Sequence, residues 1–177
     1  MTDLYLKSSW GLDLRSKSRE LKHPQAQFFI VTAEHDNNEI QLRRSSRTGQ
    51  RIPLSKVLAF CHFRYETADI SEWCASNTCT QQLILYVYEL QVSSSLQRCG
   101  VGKRIMSLIE CLAKHQNIRR SGAPLIQGMM LTVFTHNSAA MEFYTKNLSY
   151  RSSPQVSSEN VEDEDNSDYE ILFKSLV

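Results

Sequence analysis

Hydrophobic and polar positions along the chain switch between a period of two and a period near 3.6, which predicts strands alternating with helices. "LYLKSSWGLDLRSKSRELK" (4–22) mixes aromatic and charged residues as one amphipathic helix, or two, broken near Gly11. "QFFIVTAEH" (27–35) reads as a strand followed by a polar turn at 36–39. In "VLAFCHFRYE" (57–66), Leu58, Phe60, His62 and Arg64 alternate with Val57, Ala59, Cys61 and Phe63, so the segment predicts a long strand with two distinct faces. "ISEWCASNTCTQ" (70–81) reads as a loop. "LILYVYELQV" (83–92) is almost wholly apolar or aromatic, as expected of a central strand covered on both sides.

Beyond the glycines of "LQRCGVGKRI" (96–105), Val101, Ile105, Leu108, Ile109 and Leu112 recur at helical spacing and predict a helix to about residue 117. "GMMLTVFT" (128–135) predicts another buried strand. "NSAAMEFYTKNL" (137–148) predicts a short helix with Asn137 as N-cap and Ala140, Phe143 and Tyr144 on one side. A polar, acidic loop then leads to a closing strand, "YEILFKSLV". No internal repeat or long linker interrupts this order. The expectation is one α/β domain over residues 1–177, a mixed central sheet flanked by helices, with 1–24 as a helical segment packed on one side.

Composition narrows the chemistry. The 177 residues carry 20 basic and 19 acidic side chains, a net charge of +1, so no global field gathers nucleic acid or a membrane surface and recognition by charge has to be local. The five cysteines form neither a CxxC pair nor, with histidine, a zinc-ligand spacing, and read as reduced thiols of a cytosolic or nuclear protein. No apolar run approaches the roughly 20 residues needed to span a bilayer, and the polar start is unlike a signal peptide. Neither a metal nor a nucleic-acid or membrane partner is expected.

The glycine turn is the first candidate site. Strand, glycine turn and helix in that order gather backbone N–H groups and the positive end of a helix dipole at one point, which favours a phosphate. The P-loop pattern fails, because Gln97 stands at its first glycine and Arg104 follows Lys103 where Ser or Thr is required; the dinucleotide fingerprint fails because Ile105 takes its last glycine position. The spacing Gln97-x-x-Gly100-x-Gly102 resembles the pyrophosphate loop of coenzyme A in the GNAT superfamily of N-acetyltransferases. A bland glycine turn would have the same short pattern. The order around it extends the likeness: Glu89 near the end of the central strand, then loop, helix, "MMLTVFT", Asn137 and "YEILF".

"YVYELQV", "LTVFTHN" and "DYEIL", with "LYLKSSWG" near the start and "FCHFRYE" between, are similar to the NatD family, N-terminal acetyltransferases of histone H4 and the A-type histone H2. The resemblance implies a GNAT fold and transfer of acetyl from acetyl coenzyme A to an N-terminal serine. It also implies histone tails as partners, a monomer, and residence in nucleus and cytoplasm. Residues 97 to 103 (Gln97, Arg98, Cys99, Gly100, Val101, Gly102, Lys103), with Leu90, Gln91, Val92 and Asn137, are then the cofactor-binding set. Tyr5, Trp10, Tyr86, Tyr88 and Tyr169 would wall the substrate cleft, although each, taken alone, fits a core or lid position equally well.

The acid–base candidates are Glu89, Glu66 and Tyr144. An α-amine, with a pKa of about 7.7 to 8.0, needs only a modest base to become a nucleophile near neutral pH. Glu89, between Tyr88 and Leu90 on an apolar strand, is placed to be that base; the alternative is an ion pair with Arg98 or Lys103. Glu66 stands where the family has aspartate, and is otherwise a surface glutamate. Tyr144 matches the general acid of the wider superfamily. Tyr86 and Tyr88 share one face by period two while Glu89 points to the other, unless a bulge intervenes; a bulge would re-aim Glu89 and release the N–H groups of Leu90 and Val92 as an oxyanion site. The acidic run at 162–165 reads as a solvated loop that could also meet a basic tail. Transfer to lysine or small amines, and a noncatalytic module that binds coenzyme A and peptide, remain alternatives.

Overall fold

The computed structural model describes residue 11, residues 13–33, the backbone of 40–44, and residues 57–73, 81–119, 124–152 and 168–177. The predicted turn at 36–39, the acidic run at 162–165, and Tyr5 and Trp10 lie outside the described residues. Helix α1 (Leu14–Leu21) begins where Asp13 accepts hydrogen bonds from Arg15 N at 2.8 Å and Ser16 Oγ at 2.6 Å. Gly11, at φ +62°, breaks the chain just before it.

The other elements follow in order: β1 (Gln27–Ala33), β2 (Ile40–Arg44), β3 (Val57–Ala68), β4 (Gln82–Val92), α2 (Val101–Arg119), β5 (Gly128–Phe134), α3 (Ser138–Glu142), β6 (Arg151–Ser152) and β7 (Tyr169–Ser175). A wider π turn, Phe143–Asn147, extends α3. The strands form one sheet in the order β2-β1-β3-β4-β5-β7-β6. Every neighbouring pair is antiparallel except β4 and β5, the one pair that requires a long crossover, and α2 supplies it. Asn117 clips the crossover shut, donating to Ile126 O at 2.9 Å and accepting from Ile126 N at 2.8 Å.

The two sheet faces are unequal. On one, Ala59, Cys61 and Phe63 of β3, Leu85 and Val87 of β4, and Met129, Leu131 and Val133 of β5 pack against Ile105, Ile109 and Ala113 of α2. Burial on this scale is the main favourable term in folding. The other face holds a smaller cluster, Ile70, Ile84, Met130 and Phe173, and carries α1, which buries none of its own residues. Leu108, predicted to face the core, is 37% exposed. The buried stripe of α2 runs instead through Ile105, Met106, Ile109 and Ala113, leaving Leu108 on its flank. β2 and the two-residue β6 were not predicted.

Candidate functional site

The parallel ladder between β4 and β5 stops at Val87 opposite Leu131, while β4 runs on to Val92 and β5 to Phe134. The strands therefore part, and the gap opens a cavity of about 330 Å³ lined from both sides of the sheet, by Glu20, Tyr86 and Glu89 and by Leu90, Asn137 and Tyr144.

A register shift sits at the same level. His62 of β3 opposes Glu89, yet Phe63 opposes Val87, so Tyr88 is one extra residue on β4. This is a β-bulge, and it removes the parity conflict between Glu89 and the tyrosines. Tyr86 opposes Arg64 and Glu89 opposes His62, which puts both on the α1 face. Tyr88 turns to that face as well, stacking on His62 (centroids 5.0 Å apart) and lying 4.8 Å from Tyr86. Tyr86 hydrogen-bonds to Thr132, and Tyr169 pairs with Phe134 at the mouth of the gap. Tyr86, Tyr88, Tyr169 and Glu89 are thus brought onto one face.

The bulge also leaves the amides in a useful phase. Ser93 N donates to Leu58 O at 2.9 Å, so Ser93, Gln91 and Glu89 direct their backbone groups to β3. By alternation Leu90 and Val92 direct theirs away from β3, into the space β5 has vacated. Val92 O bears this out by accepting Gln97 Nε2 at 3.1 Å.

Gln97 thereby pins the glycine loop to the end of β4. Arg98 and Gly100 have φ of +60° and +79°, and Arg104 N bonds to Gly100 O at 3.0 Å as α2 begins. A Cβ on Gly100 would meet nothing within 4 Å, so bare backbone faces open space beside the free amides of the helix start. At Gly102 a Cβ would lie in ordinary contact, 3.4 Å from Phe143 of the π turn and 3.7 Å from Leu90, so any larger side chain would press on both. Arg98, Cys99, Gly100, Lys103 and Arg104 are exposed, with no acidic residue in the first turn.

Glu89 is not paired with Arg98 or Lys103. Its carboxylate lies 2.9 Å from Lys17 Nζ of α1 and accepts Gln91 Nε2 at 2.8 Å, with the side chain only 10% exposed. Lys17 also meets Glu20 at 2.7 Å, and Glu20 lies 3.5 Å from Nδ1 of the fully buried His62. Burial alone would raise the Glu20 pKa, but the His62 ring and the Lys17 ammonium outweigh it and hold the carboxyl below its usual value. His62 is sandwiched between Phe28, at 4.9 Å, and Tyr88.

Glu66 sits elsewhere on the same face. It opposes Ile84, four residues along β3 from His62, or roughly 13 Å at strand spacing. Tyr88 bridges the distance: its hydroxyl donates to Glu66 at 3.0 Å, while Arg64 lies 3.1 Å from the same oxygen and 4.0 Å above the Tyr88 ring. Burial and the Glu66 carboxylate push the Tyr88 pKa up to about 12. Tyr144 reaches the cavity from the opposite face, edge-on to Phe143 and Tyr150. Burial, with a smaller contribution from Cys61, raises its pKa far above that of an ordinary phenol, so the hydroxyl keeps its proton. Asn137 lines the cavity but its side chain caps α3, accepting from Ala140 N at 3.2 Å.

Lys17, Glu20, His62 and Thr132 were not singled out from sequence. The first two fall at i and i+3 on a short charged helix, a spacing that ordinarily marks a solvated pair. Among the described residues no group of three or more His, Cys, Asp or Glu side chains could hold a metal ion, and no helix is long and apolar enough to cross a membrane.

No protein-family model matches the chain. Among solved structures it is similar to Arabidopsis thaliana NAA60 in complex with a bisubstrate analogue, at 14% identity and TM-score 0.55 over 93% of this chain and 84% of that one. It is also similar to a variant of the AtaT toxin bound to the C-terminus of the antitoxin AtaR and acetyl-CoA (14% identity, TM-score 0.52, 90% and 73% covered). A third likeness is to the KacTA–DNA complex (14% identity, TM-score 0.51, 99% and 89% covered). At such identities the likeness is one of fold: a mixed α/β domain with GNAT-fold architecture.

Proposed function

We propose that the chain is an N-terminal acetyltransferase that moves acetyl from acetyl coenzyme A to the α-amine of a protein, with the tails of histone H4 and the A-type histone H2 as substrates. The observation that carries the reading is the bulge at Tyr88, which in one step turns Glu89 to the gap between β4 and β5 and directs the Leu90 and Val92 amides into it. The glycine loop suits the cosubstrate: open backbone at Gly100, the start of α2, and Lys103 and Arg104 beside it match a pyrophosphate.

Acetyl coenzyme A supplies the acetyl group as an activated thioester. Glu89 accepts the proton from the incoming ammonium, and the freed lone pair attacks the carbonyl. The Leu90 and Val92 N–H groups stabilise charge developing on the carbonyl oxygen. Tyr144, protonated across the physiological range, gives its proton to the departing thiolate; the nitrogen sheds its second proton to solvent as the amide forms, and Tyr144 is reprotonated from solvent. The tyrosines on the α1 face form aromatic walls that admit a small first residue, and the histone assignment itself rests on the NatD resemblance.

Lys17 resting on Glu89 favours a second reading, transfer to a lysine ε-amine, since an ammonium on a four-carbon stem already fits there. Mass spectrometry of an H4 tail peptide and its N-terminally blocked copy, after incubation with enzyme and acetyl coenzyme A, decides between them. Product on the free peptide alone is the expected result. Product on a lysine of the blocked copy establishes the second reading, and coenzyme A binding with no product on any tail means a noncatalytic module.

A further inference from the structure

Glu89 and Glu20 come from different elements, β4 and α1, and line the same cavity. One nitrogen, Lys17 Nζ, bridges them at 2.9 and 2.7 Å. We propose that Glu20 is the second carboxylate of the seat for the acceptor amine, and that Lys17 is a resident ammonium which the substrate's N-terminal ammonium displaces. The inference rests on the cleft being a site of transfer to an amine.

The chemistry of the two ammonium groups is the same: a unit positive charge with three N–H donors and no acceptor. Two carboxylates 10% and 28% exposed are unfavourable side by side without such a partner, which Lys17 supplies and a substrate ammonium would supply in its place. Lys17 can be exchanged for another ammonium without moving the sheet: its charge sits at the end of a flexible four-carbon stem, on a helix with no residue in the core. Glu20 lies 3.5 Å from Nδ1 of His62, whose buried ring stacks between Phe28 and Tyr88. A substrate ammonium entering between Glu20 and Glu89 therefore meets one carboxylate that positions it and one that deprotonates it.

Two substitutions separate a seat from a strut. If Lys17 and Glu20 merely fasten α1 to the sheet, Glu20→Gln and Lys17→Met both weaken the site in the same direction. If they are seat and occupant, the two act oppositely. Calorimetric titration of a free N-terminal peptide into the enzyme saturated with coenzyme A reads this without turnover. Glu20→Gln is expected to weaken peptide binding roughly tenfold, the loss of one charge-assisted contact. Lys17→Met is expected to tighten it severalfold by removing the competitor, with coenzyme A affinity unchanged in both. Weaker binding in Lys17→Met, or unaltered binding in Glu20→Gln, overturns the proposal. Failure of the broader reading shows differently: wild-type enzyme that binds peptide but yields no product.

Discussion

The two faces of the sheet are built from the same strands to opposite specifications. On the α2 face, β3 and β4 contribute Ala59, Cys61, Phe63, Leu85 and Val87, all buried, and burial pushes the Cys61 thiol far up so that it stays an inert, neutral filler. On the α1 face the intervening positions are His62, Arg64, Glu66, Tyr86 and Glu89, tied together by ion pairs, ring stacking and a helix with no buried residue. One face holds the larger core, and the other carries most of the charged and aromatic side chains beside the gap. The bulge at Tyr88 lets a single strand serve both, since it shifts the phase of β4 where the strand ceases to pair with β5.

If that division is right, damage to each face has a separate signature. The largest expected loss of stability comes from the α2 face: Ile109→Ala, at a position with no exposure, destabilises by about 2–5 kcal/mol in chemical denaturation. Coenzyme A affinity persists in the molecules that remain folded. Gly102→Val reaches both functions, because added methyls press on Phe143 and Leu90; about 1–3 kcal/mol of overpacking is expected, together with weaker coenzyme A binding in calorimetry. Survival of both properties would mean the loop tolerates bulk and is only a turn. Asn137→Ala removes the cap of α3 and costs about 0.5–2 kcal/mol, with little change in turnover, since the side chain serves the helix.

A pH-dependent effect belongs to Tyr88 on the α1 face. With its pKa raised to about 12, Tyr88 stays protonated in the folded protein after the unfolded chain begins to ionise near pH 10. The stabilisation is complete below pH 10 and is lost as pH rises from 10 to 12. Denaturation midpoints taken across that window fall less steeply in Tyr88→Phe than in the wild type.

Much of this arrangement was legible in the residues. β3 and β4 announce themselves by alternation and apolar content, α2 by its 3.6 period, and the α3 cap by Asn137 before a run of alanines. The bulge was one of two alternatives, because Tyr86, Tyr88 and Glu89 share a face only if β4 departs from period two; otherwise the tyrosines would simply pack in the core. What stayed hidden depends on tertiary partners. Nothing local assigns Lys17 to Glu89 in preference to Arg98 or Lys103, which are nearer in sequence but point to solvent at the loop. His62 looked like one more alternating residue until the Phe28 and Tyr88 rings closed around it. Gly102 carried the motif for a phosphate, yet the group nearest its missing side chain is the Phe143 ring, forty-one positions later in the chain. Leu108 shows the converse, an apolar residue in phase with its helix yet left 37% exposed on the flank of the buried stripe.

The account stands on Glu89 as the base, and replacement by glutamine tests that most directly, since shape is kept and basicity removed. Steady-state turnover of a free N-terminal peptide by Glu89→Gln is predicted to fall by roughly 10²- to 10⁴-fold with coenzyme A affinity nearly intact, while Glu66→Gln, bonded to Tyr88 farther along β3, loses much less. Turnover that survives in Glu89→Gln and collapses in Glu66→Gln would contradict the account and move the base to Glu66.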